Sequence, residues 1–275
     1  MVTGNRRLLI VTRSLRVTNA RSGIIVSAAL RATGGQIPNK KRWSPSSAPR
    51  RATSSLPGMP QFTLRLHTDR LEPKAEFRLS RCNRVVYVRD GDAIARAGTH
   101  VAGLAANSAW YASDSVTLTA GAAGATLLRW ELVAGGEAPG ERGGPGVTST
   151  LTLAHAVDLA DPGGYLMRCD RVDFPPGGIA YTHVHRGPGI RYLLAGAIRV
   201  EVNGKAHDIE PGGAWFEAGP DPVLALASKA VPTAFVRVMM LPRELQGRSS
   251  IRYVRPEDAD KPKLQTYRVF LDEII

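Results

Sequence analysis

The chain has 275 residues, a formal net charge of +12 at pH 7, 28 glycines and 19 prolines. The charge lies almost wholly in residues 1–60, which hold eleven Lys or Arg and no Asp or Glu, so the rest gives no reason to expect nucleic-acid binding. No apolar run approaches the roughly 18–20 residues that span a bilayer, and no membrane contact is predicted. Two cysteines, Cys82 and Cys169, are too few for a disulfide scaffold and favour a reducing, cytoplasmic location.

Residues 1–58 are basic, acid-free and without sustained periodicity. Their composition is compatible with an organellar transit peptide, with a disordered basic arm, or with upstream sequence that precedes a start at Met59. We expect residues 1–58 to be a disordered basic tail or a non-native extension.

From residue 59 onward, short apolar runs alternate with Gly, Asn and Asp turns. This pattern predicts strands over 59–135 and again over 148–245. A Gly/Pro-rich linker is predicted between them, over 136–147. Residues 246–275 are predicted to be an extension that ends in a strand, Tyr267–Leu271, on a sheet edge of this chain or of a partner subunit.

The two halves of this body repeat each other. Three segments match in the same order, at offsets of 105, 105 and 108 residues: Val86–Gly91 with Arg191–Gly196, Ala109–Ala112 with Ala214–Glu217, and Leu127–Trp130 with Phe235–Val238. A repeat of about 100 residues made of short strands predicts two tandem β-barrels of the jelly-roll type. Trp110 and Trp215 occupy equivalent positions, so both are predicted to lie in the core.

His183 and His185 stand two residues apart in a predicted strand that follows the turn Pro175–Gly178. Residues i and i+2 of a strand share a face, so both imidazoles point the same way. Neutral imidazole is a ligand for Zn, Fe, Cu and Ni. The equivalent residues of the first half are Arg78 and Ser80, so the ligand-type side chains are expected in the second barrel alone.

The surroundings of this pair resemble the cupin family, whose motifs are Gly-x5-His-x-His-x3,4-Glu-x6-Gly and Gly-x5-Pro-x-Gly-x2-His-x3-Asn. His183, His185 and Gly196 match the first motif, and Gly204 and the turn Pro211–Gly213 match the second. The resemblance implies an all-β chain of two double-stranded β-helix barrels, a bicupin. It also implies a homodimer and a divalent metal (Fe, Mn, Ni or Zn) in the second barrel.

The chain departs from the family pattern at two of the four usual ligands. The Glu of the first motif falls on Gly189, and the His of the second falls at about Pro222 or Val223. Gly178 also precedes His183 by one residue fewer than the pattern asks. A metal site in this chain therefore needs a ligand from elsewhere.

Glu217 is the first candidate for that ligand. It stands two residues from Trp215 in a predicted strand and shares its face, so its carboxylate would complete a set of two histidines and one carboxylate. Such a set leaves positions open for water, O2 or a chelating substrate. Glu217 could instead be an acid or base beside the metal or a surface residue, and Asp221 is the alternative ligand.

Arg191 and Tyr181 complete the candidate site. Arg191 lies two residues after Gly189 on the same predicted face, where its guanidinium could bind a substrate carboxylate or form an interface ion pair. Tyr181 lies two residues before His183 and could hydrogen-bond a substrate or simply pack.

These features predict a metal-dependent cupin enzyme acting on a small, anionic organic substrate. The resemblance implies dioxygenase, isomerase or aminohydrolase chemistry, with a dioxygenase favoured if Glu217 binds the metal. The alternative is a non-enzymatic bicupin that binds a small molecule after losing part of its metal site. In either case the first barrel is expected to be a structural or dimerisation partner.

Overall fold

The structure of the protein is a computed structural model that describes Ile10–Val11 and residues 62–135, 140–159 and 164–275. Apart from Ile10–Val11, the predicted tail (1–58) and the alternative start at Met59 lie outside the described residues. The described chain is all β except for one short helix and one 3-10 turn. None of its helices is long and apolar enough to cross a membrane.

The strands of the first barrel are β2 (Phe62–Leu71), β3 (Glu76–Leu79), β4 (Asn83–Ala97), β5 (His100–Ala105), β6 (Ser108–Ala112), β7 (Val116–Ala134), β8 (Glu141–Gly143) and β9 (Val147–Val157). They form one sheet in which β5, β4, β7, β2 and β9 are successive neighbours, and β3, β6 and β8 pair at its margins. The pairing of the long strands β4 and β7 shifts register on both sides of Gly91, and β4 bends there. Gly91 makes this bend possible: its φ is +76°, and a Cβ there would overlap the Gly124 carbonyl oxygen.

The second barrel is built from two antiparallel sheets that enclose an apolar core. The six-stranded sheet has the order β1 (Ile10–Val11), β15 (Ala214–Glu217), β12 (Gly189–Ala195), β17 (Thr233–Pro242), β10 (Tyr165–Phe174) and β19 (Thr266–Ile274). The five-stranded sheet has the order β14 (Lys205–Ile209), β13 (Ile198–Val202), β16 (Val223–Ala227), β11 (Ile179–His185) and β18 (Ile251–Tyr253). A 3-10 turn at Arg243–Leu245 follows β17, and the helix α1 (Pro256–Asp260) lies in the C-terminal extension.

A shared apolar cluster joins the two barrels. Leu64, Leu66 and Trp130 of the first barrel belong to the same buried cluster as Ile190 and Val238 of the second. The indole nitrogen of Trp130 donates to the Ile190 carbonyl oxygen at 3.2 Å. Apolar residues of the two large sheets thus form a buried interface between the barrels.

The register of the sheets agrees with the repeat found in the sequence. In the first barrel Val86 lies opposite Trp110 and Arg129. In the second barrel Arg191 lies opposite Trp215 and Arg237. These three positions are separated by the same 105, 105 and 108 residues that align the two halves. Trp215 is buried as predicted, whereas Trp110 is only partly buried.

Two strands lie elsewhere than the predicted boundaries suggest. β9 begins at Val147, next to the predicted start of the second barrel, but it pairs with β2 along its whole length and so belongs to the first sheet. β8 lies inside the predicted linker and pairs with β3. A Gly/Pro-rich stretch marks turns and does not say which sheet the next strand joins. The final strand β19 pairs with β10 on the edge of the six-stranded sheet.

Candidate functional site

His183 and His185 lie on β11 and point into the second barrel, where only about 5% and 4% of their surfaces are exposed. The pairing of β11 with β16 shifts between Ala180 and His183, so a bulge interrupts the strand just before the pair. The two Nε2 atoms are 3.2 Å apart. The predicted shared face of the two imidazoles is therefore present.

Hydrogen bonds fix which nitrogen of each imidazole carries a proton. Nδ1 of His183 lies 2.7 Å from the Tyr181 carbonyl oxygen, which can only accept, so Nδ1 donates and Nε2 keeps its lone pair. Nη1 of Arg237 can only donate and lies 3.3 Å from Nε2 of His185. Nδ1 of His185 then faces the Ser250 hydroxyl at 3.3 Å. Nε2 of His183 thus keeps a lone pair that faces Nε2 of His185, whose own lone pair accepts a hydrogen bond from Arg237.

Burial keeps both imidazoles neutral. It lowers the pKa of His183, an effect that Glu217 partly opposes. Burial lowers the pKa of His185 well below its ordinary value, and the charges of Arg237 and Arg191 lower it further. Neutral imidazole is the form that binds metals.

Glu217 lies at the end of β15 and turns its carboxylate into the same interior. Oε1 accepts a hydrogen bond from the indole nitrogen of Trp215 at 2.8 Å. Oε2 lies 2.6 Å from Nη2 of Arg191 and 3.8 Å from Nε2 of His185. Arg191 is fully buried, its Nη1 donates to the Gly189 carbonyl oxygen, and burial lowers its pKa to about 10. Glu217 is thus beside the imidazoles but paired with Arg191.

The register explains how Glu217 comes to lie where the family motif has its own Glu. Gly189, which occupies the motif's Glu position, lies directly opposite Glu217 on the neighbouring strand. A Cβ at Gly189 would meet the Val238 carbonyl oxygen at 2.6 Å, so the close approach of the strands leaves no room for a side chain there. A carboxylate from β15 reaches the same part of the interior instead.

A second buried ion pair, between Arg237 and Asp170, was not predicted from the sequence. Nε of Arg237 is 2.7 Å from Oδ1 of Asp170, and both side chains are buried. Arg237 lies directly opposite Arg191 in the sheet and contacts His185. The available signal was a charged residue in the apolar strand β17, at a position where the first repeat also has an arginine, Arg129.

Tyr181 takes part through its backbone instead of its ring. The bulge breaks the strict alternation that would place Tyr181 and His183 on one face. The Tyr181 carbonyl holds His183, while its half-buried ring lies 4.9 Å from Nζ of Lys261. The Asp221 carboxylate is 3.2 Å from the side-chain nitrogen of Asn203, in an exposed turn contact.

The donor set fits a metal only in part. Two neutral imidazoles converge, but no group of three or more His, Cys, Asp or Glu side chains in the described ranges is arranged to hold an ion. The reason lies in Glu217, whose two oxygens face Trp215 and Arg191. His183 and His185 are therefore the residues that could hold a metal, and the Glu217 carboxylate lies 3.8 Å from Nε2 of His185.

The interior of the first barrel is polar as well, which corrects the expectation that such residues occur in the second barrel alone. Arg129 is buried and contacts Asp69, Glu131 and Glu141, each at 2.7 Å. Arg84, also buried, contacts Glu131 at 3.0 Å. The first barrel thus contains a cluster of two buried arginines and three carboxylates.

Comparisons with known proteins agree with this fold. A protein-family model described as "Cupin domain" matches residues 170–219, the segment that carries the candidate site. A mutant of oxalate decarboxylase from Bacillus subtilis superposes with a TM-score of 0.54 at 12% identity, covering 72% of this chain and 73% of that one. A structure of the same enzyme concerned with its Mn(II) centres has a TM-score of 0.55 at 11% identity, covering 72% and 73%.

Salicylate 1,2-dioxygenase from Pseudaminobacter salicylatoxidans superposes with a TM-score of 0.46 at 13% identity, covering 69% of this chain and 74% of that one. No curated protein sequence matches significantly. The fold is that of tandem β-barrels of the cupin type. Residues 170–219 are thus similar to a cupin domain, and the chain as a whole shares its fold with the tandem barrels of oxalate decarboxylase.

Proposed function

We propose that this chain is a metal-dependent bicupin enzyme that acts on a small anionic organic molecule bound in the second barrel. The observation that carries the proposal is the pair of neutral imidazoles, His183 and His185, whose Nε2 atoms lie 3.2 Å apart beside two buried arginines. Burying imidazole and guanidinium groups costs desolvation free energy and so lowers stability. Such a cluster therefore favours a functional role.

The proposed metal ligands are His183 and His185, with Glu217 as the third. A bound divalent ion would supply Lewis-acid or redox chemistry at its open positions. Fe, Mn, Ni and Zn are the candidate ions, and Mn is the first to test because a structural relative is studied for its Mn(II) centres.

Arg191 and Arg237 give the site its preference for anions. They lie side by side on neighbouring strands, and each has one carboxylate partner, Glu217 and Asp170 respectively. Nε of Arg191 has no hydrogen-bond partner among the described residues, so it can still donate to a ligand. A planar guanidinium with free donors is suited to bind a carboxylate.

The class of reaction is a dioxygenase, isomerase or aminohydrolase, with a dioxygenase favoured if Glu217 binds the metal. Tyr181 would position His183 through its carbonyl oxygen, 2.7 Å from Nδ1. The first barrel would act as a structural or dimerisation partner, and homodimerisation remains a prediction for sedimentation analysis.

The first experiment measures bound metals in the purified full chain by elemental mass spectrometry, with His183→Ala and His185→Ala. About one metal per chain is expected in the wild type and almost none in either variant, because one imidazole alone holds a divalent ion weakly. His100→Ala is the matched control, since His100 is exposed on β5 and should leave the metal content unchanged.

A second function, that of a non-enzymatic binding protein, is favoured by the pairing of Glu217 with Arg191, which leaves two imidazoles as the available donors. Metal content separates the two functions. A wild-type chain that takes up no Fe, Mn, Ni or Zn on incubation would rule out the metalloenzyme and leave the small-molecule binder. Stabilisation by small carboxylic acids that is lost in Arg191→Gln would then define its ligand class.

A further inference from the structure

We infer that Arg191 withholds Glu217 from the metal, and that an anionic ligand releases it, so that metal and anion bind cooperatively. This inference rests on the proposed function and concerns how the same site is regulated. Arg191 thereby acts as a positioning residue for the third metal ligand as well as a docking group for the anion.

The Glu217 carboxylate lies close to the imidazoles but forms an ion pair with Arg191. Oε2 of Glu217 lies 2.6 Å from Nη2 of Arg191, whereas its separation from Nε2 of His185 is 3.8 Å. Oε1 is held by Trp215 at 2.8 Å. Oε2 is thus held by charge alone, since its contact with Arg191 lacks hydrogen-bond geometry, and no group of three metal donors converges among the described residues.

The charges of the site indicate what can free Glu217. Arg191 and Arg237 are paired with Glu217 and Asp170, so these four side chains together carry no formal net charge. A divalent cation would bring two uncompensated charges into this buried space, which is strongly unfavourable. A carboxylate bound to Arg191 adds negative charge and takes over the guanidinium, so Glu217 can turn to the metal.

Arg191 can accept such a ligand without first breaking all its contacts. Its Nη1 is fixed by the Gly189 carbonyl oxygen at 2.7 Å, which holds the guanidinium in place. Its Nε is buried and has no hydrogen-bond partner among the described residues. The anion would use this donor together with Nη2. Because binding free energies are reciprocal, the metal raises the affinity for the anion by the same factor.

The test titrates Mn²⁺ alone into the full chain by calorimetry, with millimolar acetate or with acetamide at equal ionic strength. Acetate is expected to tighten Mn²⁺ binding by about fivefold or more, and acetamide is expected to have no effect, because only acetate can take over Arg191. Arg191→Gln should bind Mn²⁺ more tightly than the wild type without acetate and should lose the acetate response. Arg191→Lys retains the cation and should stay close to the wild type.

Two further variants separate release of Glu217 from a general loss of positive charge. Glu217→Gln should show no acetate response, which also controls for acetate binding directly to the metal. In Arg191→Gln combined with Glu217→Gln, the gain in affinity should disappear, because no carboxylate remains to be freed. A gain that persists in the double variant would overturn the inference.

The outcomes distinguish this inference from the proposed function. A wild type that binds Mn²⁺ with no response to acetate would refute the release and leave the metal site standing. A wild type that binds no Mn²⁺ under any condition would refute the metal site and the release together. If Arg191→Gln does not fold, the acetate response of the wild type against that of Glu217→Gln decides the question.

Discussion

The interiors of the two barrels differ in how completely their charged groups are paired. In the first barrel, Arg129 is surrounded by three carboxylates and Arg84 shares one of them. In the second barrel, Arg191 has one carboxylate partner and keeps an unused donor, and the Nε2 atoms of two imidazoles lie 3.2 Å apart. The same topology thus supports an arginine with three carboxylate partners in one barrel and arginines with one carboxylate partner each in the other.

Two facing positions account for much of this difference. The residue equivalent to Gly189 is Arg84, whose side chain fills the interior and contacts Glu131 at 3.0 Å. The residue equivalent to Glu217 is Ala112, which lies opposite Arg84. The first barrel therefore has a large cation where the second has no side chain, and the second has a carboxylate where the first has a methyl group.

The largest expected effect breaks the charged cluster of the first barrel. Arg129→Met should destabilise the protein by about 3–5 kcal/mol, because it leaves buried carboxylates without their cation. The matched change Arg191→Met should cost less, since the indole nitrogen of Trp215 still donates to Glu217. Urea unfolding of both variants measures the difference. Equal losses would mean that the two clusters are equally structural.

The next prediction concerns the close approach at Gly189. Gly189→Ala should cost about 1–3 kcal/mol, because the added Cβ would meet the Val238 carbonyl oxygen at 2.6 Å and force the strands apart. Gly103→Ala is the control, since a Cβ there has open space in the first barrel. Thermal unfolding compares the two. A neutral Gly189→Ala would show that the site tolerates a side chain at this position.

An effect of similar size is expected at one of the two equivalent tryptophans. Trp215→Phe removes the donor to Oε1 of Glu217 and should cost about 1–3 kcal/mol, because a buried carboxylate oxygen loses its partner. Trp110→Phe changes a partly buried side chain and should cost less. Denaturant midpoints of the two single variants provide the measurement, and a larger loss in Trp110→Phe would contradict the assignment.

The smallest effect is a dependence of stability on pH that comes from His67 of the first barrel. Burial lowers the pKa of His67, and Arg129 lowers it further, whereas Asp69, Glu131 and Glu141 oppose this. Because the folded pKa lies below the unfolded value of about 6.5, the neutral side chain contributes fully above that pH, and its contribution falls as the pH decreases below it.

In His67→Leu, the free energy of unfolding should therefore fall less from neutral to mildly acidic pH than it does in the wild type. The difference should be at most about 1.4 kcal/mol per pH unit. The free energies come from urea titrations at each pH. His100→Leu, at an exposed position, should leave the profile unchanged. An unchanged profile in His67→Leu would show that His67 titrates alike in the folded and unfolded chain.

Much of the fold could be predicted because it depends on short-range patterns. Alternation of apolar residues and turn residues marks strands wherever they pair, and three repeated segments fixed the correspondence between the barrels before any register was known. The sheet membership of β9 could not be predicted, because the same alternation fits either sheet. The ring of Tyr181 was misplaced because a bulge shifts the side-chain period by one residue.

The sequence by itself determined the all-β class, the two-barrel repeat and the inward pair His183 and His185, since each follows from spacing along the chain. Tertiary structure alone decided which charges meet. Arg237 reaches His185, and Glu217 lies opposite Gly189, through pairings between strands far apart in sequence. Tertiary structure also decides the ion-pair partner of Glu217, because ion pairing in a buried interior depends on distances of a few ångströms that spacing along the chain does not specify.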